Sequence, residues 1–327
     1  MKMRVVVIIG GPALLIAAVV AVVVALRNRR QSASPPDAPV SPCPAEVRVK
    51  TVERKAEPMD HEAVEASAAV AIVCGEDAPT ADRYEARNYA LRSIARRRDM
   101  PEKDVAALIA YLRRTDDAMR VERVAALKND VMNLLRSQEP PPKGLAETLM
   151  GIFEGGKHPP VVIDYCIQHL GAMLDELDEK GRLRVRAVLA KAAKRTKQPY
   201  AGTALYSLAE DARATPAQET ELKGLALALC KPEANHAARI AAIQFAGERG
   251  FADALPVLRE ILSAPSRDAV LDIAAIGSVG LLGSAVDIPL VESVAARGGR
   301  RYAVAANAAI ERIKNRVARP SEGAGVR

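Results

Sequence analysis

The chain has 327 residues, a formal net charge of +7 and a pI near 9.3, with 49% apolar residues but only 3% aromatic residues and no tryptophan. A core of Ala, Leu, Val and Ile suits closely packed helices and argues against a β-sandwich, whose strands favour aromatic and β-branched side chains. The charge excludes little, because 47 basic and 40 acidic residues are interleaved along most of the chain. Such a mild excess fits an ordinary surface as well as an anionic partner.

The first element is an uncharged apolar run of 22 residues, 5–26, flanked by Lys2 and Arg4 on one side and by three arginines within 27–30 on the other. A helix of about 20 apolar residues crosses the hydrocarbon core of a membrane. A cleaved signal peptide is the alternative, but its apolar stretch usually has only about 7–15 residues before a small-residue cleavage site. The sequence therefore predicts a single transmembrane anchor over residues 1–30.

A segment rich in proline and serine follows the anchor, with five prolines between residues 31 and 45. Proline at this density favours extended polyproline conformations at about 3.1 Å per residue, so residues 31–59 are predicted to form a stalk. Basic residues at the two ends of the apolar run nearly balance, which leaves the orientation open. The short N-terminus favours a cytoplasmic N-terminus and a body on the exported side, periplasmic or extracellular.

From residue 60 onward apolar residues recur at helical spacing, which predicts an all-α body. Residues 60–83 are predicted to be a helical lead-in or cap, residues 84–317 a stack of helical pairs, and residues 318–327 a disordered tail. Clear amphipathic helices are predicted at 105–112, 145–153, 161–174, 183–193 and 222–230. Proline and glycine predict loops at 139–144 and 155–160. Thr215-Pro-Ala-Gln218 predicts a capping box, and Asp99-Met-Pro-Glu102 predicts a similar helix start.

Residues 182–197 are the most basic stretch of the body, and Arg92–Arg98 is a second basic segment. A helical projection groups Val185, Val188 and Leu189 with Ala192 on one side, and Leu183 is the one misplaced apolar residue. The remaining side carries Arg182, Arg184, Arg186, Lys191, Lys194 and Arg195. We expect this cationic side to face solvent. It is a candidate face for an anionic partner or lipid headgroups, and the alternative is an ordinary solvated helix surface.

An Ala-Ala-Ile run recurs three times near the C-terminus, at spacings of 33 and 34 residues, and the first two runs are followed by a glycine and then a proline. The glycine is predicted to end the first helix of each unit in a left-handed cap, and the proline fits the opening turns of the second helix. A helical pair of this kind cannot bury both its faces alone and must stack. The repeated positions are Ile243, Ile276 and Ile310, Gly250 and Gly283, and Pro256 and Pro289.

The first of these units resembles the short form of the HEAT-repeat family, with Arg-x-x-Ala at Arg239 and Ala242, Gly250, and then Ala-Leu-Pro-x-Leu around Pro256. The next unit departs from that form, because Asp272 stands where the arginine is expected. The resemblance is strongest over residues 235–315 and fades upstream, although two Arg-x-x-Ala-Leu sequences begin at Arg87 and Arg123. It implies a right-handed α-solenoid of about six HEAT-like helical pairs.

The sequence contains no Gly-x-Ser-x-Gly nucleophile motif, no phosphate-binding loop and no His-Glu-x-x-His zinc motif. No catalytic residue, cofactor or metal is therefore expected. The spaced glycines at 277, 280 and 283 are predicted to form a loop that ends a helix. Cys166 and Cys230 are predicted to be small core residues. Cys43 and Cys74 are a candidate disulfide if the body is exported, although the sequence leaves their proximity open.

Stacked helical repeats present extended binding surfaces. The resemblance therefore implies a scaffold without catalysis of its own, which holds a protein or peptide partner near the membrane through residues 5–26. Two alternatives stay open: an enzyme or enzyme accessory, since HEAT-like repeats accompany lyases, and a binder of an anionic polymer through the basic helices. Nucleic acid is not expected as a partner, because side chains for base stacking are nearly absent and an exported body would not meet it.

Overall fold

A computed structural model describes residues 66–77, 82–264 and 268–318. These residues form α-helices and short turns, with no strand among them, which confirms the all-α prediction. The helices are α1 (Ala66–Cys74), α2 (Tyr84–Ile94), α3 (Glu102–Arg113), α4 (Val121–Arg136), α5 (Leu145–Gly155), α6 (Pro160–Ala172), α7 (Glu179–Lys194), α8 (Ala201–Ala209), α9 (Pro216–Leu229), α10 (His236–Glu248), α11 (Leu255–Ser263), α12 (Ala269–Leu282), α13 (Ile288–Gly298) and α14 (Arg300–Ala318). Short 3-10 turns, Ala252–Ala254 and Ala285–Asp287, precede α11 and α13.

The apolar run 5–26, the stalk 31–59, Cys43 and the tail beyond Ala318 lie outside the described residues. Within the described residues, no helix combines the length and the apolar character that crossing a membrane requires.

The helices lie in two alternating series. Each even-numbered helix packs against the next even-numbered one, from α2 through to α14, and we call this series the even row. The odd-numbered helices form a second series, the odd row, in which α1, α3, α5, α7 and α9 pack in order and α11 packs on α13. Each helix also packs against a chain neighbour in the other row, so the apolar core lies between the two rows.

Small residues bring the helices of the even row close together from α6 to α14. At four glycines, an added Cβ atom would stand only 2.5 to 2.7 Å from an atom of the next even helix. Real Cβ atoms do not approach so closely, so these positions require glycine. The four contacts are Gly171 with Ser207, Gly202 with Ala241, Gly247 with Ser278, and Gly280 with Ala309.

Two of these contacts repeat the same hydrogen bond. The buried Ser207 donates its hydroxyl to the Ile167 carbonyl at 3.2 Å, four residues before Gly171. The buried Ser278 donates to the Ile243 carbonyl at 2.8 Å, four residues before Gly247. The serine therefore fills the space that the glycine leaves and satisfies its own hydroxyl, which would be costly to bury unpaired. The same joint thus occurs at the α6–α8 and α10–α12 contacts.

The turn chemistry of the repeat is confirmed in part. Gly250 has φ of +73°, the left-handed conformation predicted for it, and Pro256 and Pro289 lie in the first turns of α11 and α13. The prediction was wrong for Gly283, whose φ of −71° and ψ of 175° are extended. Space explains this glycine instead, because an added Cβ atom would stand 2.7 Å from the Val279 carbonyl oxygen.

The predicted glycine loop at 277–283 was also wrong. Gly277 and Gly280 lie inside α12, and only Gly283 follows it. Gly280 serves the contact with α14, whereas no atom lies within 4 Å of a Cβ atom added to Gly277. Tertiary packing therefore keeps the helix through two glycines that would weaken it in isolation.

Helix starts behave differently at two predicted sites. Thr215 and Gln218 form the predicted capping box, with each side chain bonded to the other residue's backbone N–H at 2.9 and 3.3 Å. The prediction at Asp99 was wrong, because α3 begins at Glu102 and Pro101 occupies the cap position without a side-chain hydrogen bond.

The arginine of the repeat pattern caps the helix before it. Arg239, in the first turn of α10, donates to the Cys230 carbonyl at the end of α9. Arg87 in α2 donates in the same way to the Val73 carbonyl of α1. In α4 this role belongs to the buried Lys128, which bonds the Leu112 carbonyl at 2.9 Å, and not to Arg123. Cations at these positions satisfy orphan carbonyls and oppose the helix dipole.

Candidate interaction surface

The predicted basic helix is α7, and its start is capped by Asp178, which accepts the Gly181 N–H at 2.7 Å. The apolar side was predicted correctly: Val185, Val188, Leu189 and Ala192 are all buried against neighbouring helices.

Two of the six cations predicted to face solvent do not. Arg182 and Arg186 are 4% and 6% exposed, and both bond the same carboxylate oxygen of Asp211, at 2.7 and 2.8 Å. Asp211 lies in the turn after α8, and its side chain is fully buried. The helical projection was wrong here because it considered only the apolar residues of α7 and not the charge that a later turn brings beneath it.

The Asp211 carboxylate is ionised in this position. Burial by itself would raise its pKa, but hydrogen bonds from Arg186, the Arg213 backbone and Arg182 outweigh burial and hold the pKa below its usual value. Glu179 bonds Arg182 as well, at 2.6 Å, so the two buried guanidinium groups face two carboxylates. This cluster joins α7 to the end of α8, and its charges pair with one another.

The remaining four cations lie at or near the surface. Arg184 pairs with Glu147 of α5 and Lys194 with Glu221 of α9, both at 3.3 Å and with side chains about half exposed. Arg195 stacks over the Phe153 ring, 4.4 Å from its centre, and donates to the Tyr200 hydroxyl. Lys191 is exposed and forms no ion pair with another described residue.

The two pairs made by α7 belong to a series along the odd row. Polar side chains bridge each step along this row, and the last two bridges reach the 3-10 turns that precede α11 and α13. From α6 to α14 the even row combines close contacts at small residues with polar contacts of its own, such as Tyr302 with Asp272. The bridges are Ser67 with Asp104, Arg113 with Thr148, Glu147 with Arg184, Lys194 with Glu221, Lys223 with Asp253, and Arg259 with Asp287.

A groove of about 460 Å³ lies between α7 and α9. Leu183, Ala187 and Ala190 of α7 form its apolar floor, and Gln218 and Glu221 of α9 line the opposite side. Arg186, Lys191 and Lys194 supply the cations of its lining. Sequence reasoning missed this groove, although the misplaced Leu183 and the exposed Ala187 four residues after it were its signal.

The second basic segment borders a smaller groove of about 300 Å³ between α2 and α4. Arg92 and Arg98 line it together with Asp130 and Asn133, so its charges are mixed. Arg98 is also engaged, donating to the Ser137 carbonyl at 2.9 Å.

The described cysteines are buried thiols. Cys166 and Cys230 are core residues as predicted, and burial raises the pKa of both to about 12. Cys74 is also buried, with its thiol 3.7 Å from the Ala107 carbonyl oxygen, and Cys43 lies outside the described residues. Among the described residues, no three His, Cys, Asp or Glu side chains cluster closely enough to hold a metal ion.

Comparisons with known proteins assign no family: no protein-family model, curated protein or solved structure matches the chain. The resemblance to HEAT repeats therefore rests on the residues of this chain alone.

Proposed function

We propose that this protein is a membrane-anchored scaffold whose helical stack, an α-solenoid of about six HEAT-like pairs, binds a protein or peptide partner near the membrane. The proposal depends on one observation: the described helices pack in two rows, with close glycine contacts recurring in the even row from α6 to α14 and polar bridges recurring in the odd row. Serial packing leaves both rows with long outer surfaces, and such surfaces are what repeat proteins use for binding.

The repeated joint supports the solenoid architecture within this proposal. Gly171 with Ser207 and Gly247 with Ser278 make the same contact two steps apart in the even row. A repeated contact between successive units is the expected product of stacked, related helical pairs. The right-handed sense of the stack is part of this proposal. Small-angle scattering by the detergent-solubilised full chain tests whether the particle is elongated. A compact spherical profile would contradict it.

The membrane part of the proposal rests on the uncharged run at residues 5–26 and its basic flanks. We expect the full-length protein to stay in the membrane pellet after alkaline carbonate extraction. Recovery in the soluble fraction, with a new N-terminus after residue 30, would show that the run is a cleaved signal peptide.

Partner binding is tested by photo-crosslinking in the native membrane. A photoreactive amino acid is placed singly at exposed positions of both rows, for example at Tyr89 of α2, Leu183 of α7 and Val304 of α14. We expect discrete adducts of one mass that cluster at neighbouring positions. Adducts that are absent, or equally weak and heterogeneous at every position, would contradict the scaffold.

A further inference from the structure

The groove between α7 and α9 has the form of a side-chain binding site. Leu183, Ala187, Ala190 and Lys194 follow one another at helical spacing along the same face of α7. The two alanines are small, so the face is recessed between the longer side chains at its borders. Leu183 keeps 47% of its surface exposed at one end, which leaves apolar area for a partner to cover.

Positive charge predominates in this groove. Three cations and one carboxylate line it. Arg186 forms a buried ion pair with Asp211. Lys194 forms an ion pair with Glu221 at 3.3 Å, and both of these side chains are about half exposed. Lys191 lies one turn from Lys194 on the same helix face and has no ion-pair partner among the described residues. A carboxylate placed over the groove would therefore meet Lys191 directly and Lys194 beside it, which is the electrostatic complement of an acidic segment.

From this geometry we propose that the α7–α9 groove binds an acidic peptide segment of a partner protein. One apolar side chain of the segment lies on Leu183, Ala187 and Ala190, and a neighbouring Asp or Glu pairs with Lys191 and Lys194. The inference rests on the proposed scaffold function and names the partner's chemistry. An anionic membrane is the poorer fit, because the apolar floor is recessed between two helices and a flat bilayer surface does not enter it.

The test uses the full-length chain in nanodiscs of zwitterionic lipid, so that lipid charge does not contribute. A random peptide library displayed on phage is selected against it, and three enriched peptides are synthesised with a fluorescent label for anisotropy titrations. We expect the enriched sequences to carry Asp or Glu within two residues of a Leu, Ile, Met or Phe. Their affinity should fall as salt rises.

Three variants separate the parts of the site. Lys191→Glu reverses the unpaired charge, and Ala187→Phe fills the recess at an exposed position without changing charge. Lys103→Glu, on α3 of the same row, is exposed and makes the same charge change away from the groove. We expect about tenfold weaker peptide binding for the first two variants, since a rim charge and the covered apolar area each contribute modestly, and unchanged binding for Lys103→Glu. Circular dichroism confirms that each variant is folded.

Several results would overturn the inference. One is the enrichment of peptides that lack acidic residues. Another is a peptide affinity that both Lys191→Glu and Ala187→Phe leave unchanged. A third is binding to vesicles of anionic phosphatidylglycerol that Lys191→Glu abolishes while no peptide is enriched. If crosslinked partners in native membranes persist in the Ala187→Phe variant, the groove is not their site, yet the scaffold function stands.

Discussion

The two rows of helices differ in the contacts that recur along them. From α6 to α14 the even row brings backbones together at glycine, alanine and serine, where dispersion contacts and buried hydrogen bonds act at short range. The odd row is bridged by side chains such as Arg184 with Glu147 and Lys194 with Glu221, about half exposed to water. Exposed pairs of this kind contribute little to stability. We therefore expect the close contacts of the even row to contribute more to stability than these half-exposed pairs of the odd row.

The buried ion pairs of Asp211 with Arg182 and Arg186 join a helix of the odd row to one of the even row. We expect their loss to lower the free energy of unfolding more than any other change considered below. Asp211→Ala leaves Arg186 buried without its carboxylate partner, and we expect the free energy of unfolding to fall by about 3–5 kcal/mol. Urea denaturation followed by circular dichroism measures this. Asp211→Asn keeps the shape of the side chain and removes its charge, so its free energy of unfolding should lie between those of Asp211→Ala and the wild type. A loss under about 1 kcal/mol for Asp211→Ala would mean that the two arginines find other partners.

The next effect compares two glycines of one helix, three residues apart. In Gly280→Ala the new methyl group would meet the Ala309 backbone at 2.7 Å, so α12 and α14 must separate. We expect a loss of about 3 kcal/mol. Gly277→Ala meets nothing within 4 Å and should gain about 0.5–1 kcal/mol through helix propensity. If both substitutions were stabilising, close packing in the even row would not limit stability.

A polar contact of the even row should respond to pH. His169 of α6 lies with Nε2 3.1 Å from Asn129 Oδ1 and Nδ1 3.5 Å from an Arg136 nitrogen, which fits a neutral ring protonated on Nε2. Burial, and then the charge of Arg136, lower its pKa from 6.5 to about 4. The pKa of His169 is lower in the folded protein than in the unfolded chain, so protonation of the ring favours unfolding. The full free energy of unfolding is therefore present above about pH 6.5, and part of it is lost as the pH falls towards 4.

We expect His169 to account for a loss of about 2 kcal/mol between pH 7 and pH 5, measured by urea denaturation at each pH. The His169→Gln variant should show a shallower decline. Some decline should remain, because burial and the charge of Lys128 lower the pKa of His158 to about 4 as well. Parallel pH profiles for the variant and the wild type would contradict the neutral assignment.

The smallest effects belong to the exposed bridges of the odd row. Glu147→Gln and Glu221→Gln, tested singly, should each change the free energy of unfolding by less than about 1 kcal/mol, and the change should shrink at high salt. Denaturation at low and high sodium chloride provides the measurement. A single bridge worth more than about 2 kcal/mol would remove the distinction between the two rows.

Several local features that depend on near neighbours were readable from the sequence, although the helix start at Asp99 and the cap at Gly283 were not. The helical spacing of apolar residues, the Thr215 capping box and the left-handed turn at Gly250 were all predicted correctly. So was the buried side of α7, since Val185 and Leu189 lie one turn apart and share their face by helix geometry alone.

Tertiary structure decided what depends on residues far apart in the chain. Arg182 and Arg186 are buried because Asp211, 25 or more residues later, is carried beneath α7 by the turn after α8. Gly280 stays helical because Ala309 packs on it, although its spacing with Gly277 and Gly283 suggested a loop. The groove between α7 and α9 exists because α8 intervenes between those helices in the chain and packs in the other row. A helical pattern reports which side of a helix is apolar, but only the neighbouring elements determine whether a cation meets water or a buried carboxylate.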